Sequence, residues 1–272
     1  MKNTFNCSIL LICSAGLLTF GAQAQEETEL GQSTLAELSR IERPVAPENI
    51  PYDYTVDFQI NEPGDDASDT PFTAVLTIRP ALTGDERVTV ISQSNDERPE
   101  ALKELLTKIT SLETSQADLA KEFWCEDDDN GLLSEDFSGD DFTVVRETET
   151  EVVLRPDIQK LAEIMMSSDD FLENGDGDRK IIKKLLDRLD GEFTLSKQDA
   201  HLKHFKIWMT RPMRVKLIAK IKELELTQSC AIAPNGVAYK SATSMHLRVK
   251  ALGTSVVQDM NIVVRDLKPI PG

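Results

Sequence analysis

Three histidines are the side chains best suited to acid–base or metal chemistry in this sequence: His201, His204 and His246. Imidazole is the commonest metal ligand in proteins, and it titrates near neutral pH. His201 and His204 lie three positions apart, and on a strand such residues project to opposite faces of the sheet. The sequence therefore predicts no metal site and no cofactor.

Motifs of nucleophilic or phosphate chemistry do not occur in this chain. It has no Gly-x-Ser-x-Gly elbow, no phosphate-binding loop, no dinucleotide fingerprint and no Cys-x-x-Cys pair. In so acidic a chain some carboxylates lie close together by chance, so paired acids are not evidence of hydrolysis. We predict that the protein is not an enzyme.

The acidic segment 126–141 (EDDDNGLLSEDFSGDD) raises the question of calcium. Glu126, Asp128 and Asn130, followed by Gly131, have the spacing with which a calcium loop begins. Phe137 occupies the twelfth position, where such a loop needs a bidentate carboxylate. The pattern favours a solvated loop, with calcium binding as the alternative.

The N-terminal residues predict export. Lys2 precedes an apolar run over 9–20 that is too short to span a bilayer, and Ala22 and Ala24 suit a cleavage site. We predict a signal peptide over 1–24, cleaved after Ala24, and a mature protein in the periplasm of a Gram-negative-type bacterium or secreted. Residues 25–50, which have little apolar periodicity, are expected to form an extended leader.

Two cysteines remain after that cleavage, Cys125 and Cys230. In an oxidising compartment a pair of cysteines is typical of one disulfide. The alternative is two buried, unpaired thiols.

The stretch 214–226 (RVKLIAKIKELEL) decides the fold class, because it fits either an amphipathic helix or a strand. Val215, Leu217, Ala219 and Ile221 alternate with polar residues, as on a half-buried strand. The apolar phase then slips by one residue at 222–223, which predicts a β-bulge. Alternating runs also precede and follow the stretch, so we predict long antiparallel strands.

The remaining elements follow from similar patterns. Alternation predicts strands from positions 52, 72 and 88 that form a meander, and a hairpin over 142–155. Apolar residues at helical spacing predict a helix from Pro99, with a second cap at Ser115. Further helical patterns occupy 157–166 and 179–189, the latter ended by Gly191.

Charge is divided unevenly along the chain. Residues 25–190 hold 41 acidic and 16 basic side chains, whereas 191–272 hold 6 and 13; with Lys2 the net charge is −17. One interpretation is attraction between two halves of a single domain. The other is a basic sheet face that meets an anionic membrane surface or an acidic partner. The overall acidity argues against nucleic acid.

A resemblance to a known family rests on several runs. Residues 189–195 (LDGEFTL), 204–207, 211–213 and 216–221 resemble the C-terminal sheet of exported proteins related to the outer-membrane lipoprotein carriers (the LolA/LolB-like superfamily), and 88–106 is similar to their first half. The resemblance implies an α+β fold: a curved antiparallel sheet, or incomplete barrel, with helices packed on its concave side. We expect a single domain of this kind over 51–268.

The resemblance also implies a binding or carrier-like function for a lipidic or acylated ligand, with an acylated protein as one form of partner. The alternative is a structural or interaction module of the envelope with a solidly packed core. In the carrier interpretation the ligand would lie on the apolar face of the long strands predicted after Gly191. The predicted contacts are Phe205, Ile207, Met209, Val215, Leu217 and Ile221.

Overall fold

The structure is a computed structural model that describes residues 34, 36–41, 43–61, 70–125, 141–157, 181, 183–215, 219–251 and 254–271. The predicted signal peptide, most of the acidic segment and the helical pattern over 158–166 lie outside these residues. The elements are β1 (Tyr52–Asn61), β2 (Phe72–Ile78), a 3₁₀ helix (Gly84–Arg87), β3 (Val88–Gln93), α1 (Glu100–Thr110), α2 (Gln116–Phe123), β4 (Phe142–Glu147), β5 (Glu151–Pro156), β6 (Leu189–Ser196), β7 (Leu202–Met209), β8 (Met213–Val215), β9 (Ala219–Ile232), β10 (Ala238–Ala251) and β11 (Thr254–Pro269).

The strands form one antiparallel sheet with the order β3-β2-β1-β11-β10-β9-β7-β6-β5-β4. Strand β8 also pairs with β9. It is a separate strand because the chain between β7 and β8 contains Arg211 and Pro212. Pairing of β1 with β11 places the first and last strands side by side within the sheet. Among the described strands β3 and β4 do not pair with each other, so the sheet stays open. The curved, incomplete barrel predicted from the sequence is the fold of this chain.

Alternation of buried and exposed residues gives the sheet two distinct faces. In β1, Tyr54, Val56 and Phe58 are buried, and the residues between them are half-buried. Cross-strand partners share a face, so Ile262 and Val264 of β11 continue this core face. The opposite surface is the polar face.

The predicted β-bulge lies in β9. Arg248 of β10 faces Glu223, whereas the next residue, Val249, faces Ile221, so Lys222 is left over. Ile221 and Leu224 are both buried although they are three positions apart. In a regular strand they would project to opposite faces, and the extra residue returns both to the core.

The two helices occupy the region that their sequence pattern predicts. α2 begins with a capping box, in which Ser115 Oγ accepts from the backbone N–H of Asp118 and the Asp118 carboxylate accepts from the backbone N–H of Ser115. Phe123 at the end of α2 stacks on Tyr239 at 5.5 Å and lies 5.0 Å from Tyr54. These ring contacts pack α2 on the core face of the sheet.

Gly191 is not the end of a helix, as its position after 179–189 predicted. Helical residues end by Leu186, and Gly191 lies inside β6. A Cβ at this position would lie 3.3 Å from the carbonyl oxygen of Lys206. Glycine at this position therefore allows β6 and β7 to approach closely. A glycine with this role cannot be distinguished in sequence from one that ends a helix.

A disulfide joins Cys125 to Cys230, as predicted. It links the chain two residues after the end of α2 to the C-terminal part of β9. The backbone N–H of Cys125 also donates to the carbonyl of Ala238, and Trp124 forms an isolated bridge with Tyr239. The end of the helical segment is therefore fixed to β9 and β10 both covalently and through hydrogen bonds.

Candidate functional site

The predicted ligand contacts lie on or beside the core of the protein. Phe205, Ile207 and Ile221 are 5%, 3% and 4% exposed, and Phe205 packs against Phe193 at 5.9 Å between ring centroids. Met209 and Val215 are half-buried, and Leu217 is outside the described residues. That these side chains contact a ligand stays a prediction.

Further along the core face, apolar side chains are less completely covered. In one rung across four strands, buried Met213 and Ile221 are followed by half-buried Val249 and Val256. We call six half-buried apolar residues of β8, β10 and β11 on this face the apolar strip. Its members are Val215, Leu247, Val249, Val256, Ile262 and Val264.

The strip differs from the core beside it in exposure rather than in composition. Met245 and Met260, which face each other across β10 and β11, are 3% and 8% exposed. Val249 and Val256 form the pair that lies four residues further along β10, toward its C-terminal end, and both are half-buried. On β10 and β11, coverage of the core face therefore decreases from the methionine pair to the valine pair.

On the polar face, cations of the C-terminal half are paired with carboxylates. Lys206 Nζ lies 2.9 Å from Glu225 Oε2, and Arg265 Nε donates to Asp57 Oδ2 at 2.6 Å. Lys197 lies 2.7 Å from Glu147. The Asp57 and Glu147 pairs join the acidic and basic halves of the chain, which supports attraction within one domain as an origin of the charge division.

Hydrogen bonds to these cations hold carboxyl pKa values low. The guanidinium of Arg265 lowers the pKa of Asp57 below its ordinary value, and the ammonium of Lys197 does the same for Glu147. Both pairs are partly exposed, so each contributes little to stability on its own.

One group of cations on the polar face has no such partner. Lys250 of β10 lies directly opposite Lys220 of β9, and Lys220 lies directly opposite Arg214 of β8. We call Arg214, Lys220 and Lys250 the basic rung. None of the three forms an ion pair with any residue that the structure describes.

His246 is the centre of a polar cluster on β9, β10 and β11. Its Nδ1 lies 2.7 Å from Asp259, its Nε2 lies 3.3 Å from Glu223, and Arg248 donates to the same Glu223 at 2.9 Å. The hydrogen bond to Asp259, and then that to Glu223, raises the pKa of His246. His204 is different, because burial, followed by the charge of Lys206, lowers its pKa.

Two depressions are lined mainly by polar side chains. One, of about 240 Å³, lies on the polar face among Gln59, Glu225, His246, Asp259 and Asn261. The other, of about 440 Å³, lies where β1 and β2 approach the start of α1. Neither is lined by the predicted ligand contacts or by the apolar strip. Within the described part of the chain, no three His, Cys, Asp or Glu side chains are arranged to hold a metal ion, and no helix is long and apolar enough to cross a membrane.

Comparison with known proteins adds a distant likeness. No family model matches the chain, and the search of curated proteins finds no match. The chain is similar to a LolA superfamily protein. That protein is NE2245 from Nitrosomonas europaea, known from a crystal structure; the match covers 89% of this chain and 94% of that chain, at 10% identity and a TM-score of 0.27. A TM-score of this size marks similarity at a distance only.

Sequence reasoning missed two features of the site. The apolar strip extends to β10 and β11, whose valines the alternation assigned to strands but not to a ligand surface. The basic rung was also missed, because it depends on the register that brings Arg214, Lys220 and Lys250 side by side. No local sequence pattern encodes that register. The bulge at Lys222, which the sequence did predict, shifts the pairing of β9 with β10 by one residue.

Proposed function

We propose that the protein is a non-enzymatic binding protein of the cell envelope that shelters an apolar chain on the core face of its open sheet. The ligand class is a lipid or an acylated protein. The apolar strip carries this proposal. Its aliphatic side chains continue the core face of the long strands, yet they are only partly covered.

The physical argument rests on what the strip can gain from a ligand. Each Å² of apolar surface removed from water contributes about 25 cal/mol, before the entropic costs of association. Val249, Val256 and their neighbours are already held in place by strand pairing, so little ordering of the backbone is needed on binding. An unbranched acyl chain fits such a surface because it needs no polar partner.

Export is consistent with the covalent structure. The Cys125–Cys230 disulfide is of a kind that persists in oxidising compartments such as the periplasm. The N-terminal pattern of a signal peptide supports the same location. A protein of the envelope would meet lipids and acylated proteins there.

The test uses two adjacent valines on opposite faces. Val256 belongs to the apolar strip and faces Val249, whereas Val257 is on the polar face opposite Arg248; both are half-buried. An environment-sensitive fatty-acyl probe is titrated into the exported protein. We expect saturable binding at one equivalent, weakened about fivefold or more by Val256→Asn and changed less than about twofold by Val257→Asn.

A second function is favoured by the burial of the predicted contacts. Phe205, Ile207 and Ile221 are packed into the core, as expected of an envelope interaction module without a ligand. A folded wild-type protein that shows no saturable binding of the probe would contradict the carrier proposal and favour this module. Equal effects of the two valine substitutions would also contradict the placement of the ligand on the apolar strip.

A further inference from the structure

We propose that the basic rung docks the protein on a bilayer that contains anionic phospholipids. This inference is independent of the ligand proposed above. The surface concerned lies on the polar face, near the end of β8, the start of β9 and the end of β10. Arg214, Lys220 and Lys250 lie side by side there.

Register places these three cations on one face. Directly opposite residues of antiparallel strands have Cβ atoms about 4.5–5.5 Å apart. Arg214 and Lys250 are exposed, and Lys220 between them is half-buried. Like charges placed directly opposite each other destabilise a sheet. The folded protein therefore keeps an unfavourable arrangement at this position, which an external anion would relieve.

Among the described residues, the neighbouring charges do not relieve this repulsion. Glu223 is the nearest carboxylate in sequence on β9, and it is already bonded to Arg248 at 2.9 Å and to His246 at 3.3 Å. Elsewhere on the polar face, cations such as Lys206 and Arg265 have their own carboxylates. Across the described strands, the rung stands out as a set of three neighbouring cations without an acidic partner.

A bilayer surface fits this geometry better than a single acidic group. The three cations lie in a row across adjacent strands, which are spaced about 4.8 Å apart, and neither of the two depressions described above includes them. Anionic headgroups offer many phosphates in one plane, and a row of cations can meet them without a fixed binding pose. The residues that follow the basic rung toward this end of β8, β9 and β10 are Val215, Ala219 and Ala251, which add no acidic group.

The net charge of the whole chain would orient the protein on an anionic membrane. The net charge of −17 repels an anionic membrane from most of the surface. The basic rung is displaced from the acidic half in sequence, and it lies at the end of the long strands. An anionic bilayer therefore attracts the protein in one orientation, with the strand ends that hold the basic rung toward the headgroups.

The experiment measures co-sedimentation of the exported protein with vesicles of phosphatidylcholine that contain phosphatidylglycerol, and with vesicles of phosphatidylcholine alone. The test variant is Lys220→Gln/Lys250→Gln. The control is Lys103→Gln/Lys268→Gln, which changes the net charge equally but at exposed lysines away from the rung. Circular dichroism checks that both variants fold like the wild type.

We expect binding to the anionic vesicles alone, weakened about fivefold for each rung lysine removed and about 25-fold for the pair, with less than about twofold change in the control. Binding should also be lost at about 1 M salt, where charges are screened beyond about 3 Å. Absence of binding by the folded wild type, or equal weakening by the two double variants, would overturn the proposal. Binding to polyglutamate in solution but not to the vesicles would overturn it in favour of an acidic protein partner.

Discussion

Cys125 is bonded to Cys230 across 105 positions of sequence, and this bond ties the end of α2 to β9. On the chain-entropy model a loop of this length stabilises the fold by about 4–5 kcal/mol. We expect no titratable thiol in denatured, non-reduced protein that begins at Gln25 and so lacks Cys7 and Cys13. Reduction should lower the free energy of unfolding by about 2–5 kcal/mol, measured by denaturant titration.

The control for the disulfide is the variant Cys125→Ser/Cys230→Ser. Its free energy of unfolding should match that of the reduced wild type and should not respond to reductant. Two titratable thiols per chain, or a wild type whose stability does not change on reduction, would contradict the bond.

A second prediction concerns the buried guanidinium of Arg87, which is 2% exposed. Its Nε donates to the carbonyl of Leu82 at 2.8 Å, and its Nη1 donates to those of Ile109 at 2.8 Å and Thr114 at 3.1 Å. The last two acceptors lie in and just beyond the last turn of α1, where a positive charge is favourable. Arg87 thus holds the end of α1 against the turn before β3.

Replacing Arg87 with Met should therefore leave buried carbonyls without donors and lower the free energy of unfolding by about 2–4 kcal/mol. Arg79→Met is the matched control: Arg79 is half-buried and donates one side-chain bond, to Thr89 at 2.8 Å. It should cost less than about 1 kcal/mol. Equal losses in chemical denaturation would show that the carbonyl contacts of Arg87 do not stabilise the fold.

The histidines give a prediction about pH. Hydrogen bonds to Asp259 and Glu223 raise the pKa of His246 above its ordinary value, whereas burial lowers that of His204. In the NMR titration of the folded protein, His246 should therefore titrate at higher pH than His204. The reverse order would contradict the geometry of both sites.

The raised pKa of His246 also makes the free energy of unfolding depend on pH. Because the folded pKa of His246 is raised, its contribution is complete below the unfolded value of about 6.5 and is lost as pH rises through the folded value. The side chain is 35% exposed, so the contribution should be less than about 1 kcal/mol. His246→Gln should remove this pH dependence and leave the stability at higher pH nearly unchanged.

Local patterns predicted the strands of this fold because each has one buried face. In β1 and β9 the alternation of aliphatic and polar residues follows the core, and the slip at Lys222 marks the bulge. The capping box at Ser115 was visible for a similar reason, since both of its partners lie within four residues.

Features that depend on distant residues could not be predicted in this way. Gly191 has the sequence position of a helix stop, but its role depends on the backbone of Lys206 in the neighbouring strand. The pairing of β1 with β11 joins strands that are about 200 residues apart in sequence, and no short sequence pattern predicts it. The burial of Arg87 likewise depends on carbonyls more than twenty residues away.

The most direct test of ligand binding to the apolar strip is photo-crosslinking with a fatty acid that carries a diazirine in its acyl chain. After irradiation with the exported protein, the labelled peptides are identified by mass spectrometry. We expect labels in β10 and β11 around Val249 and Val256, and competition by unlabelled fatty acid. Labels confined to the polar face, or none above the level seen with denatured protein, would contradict the proposed function.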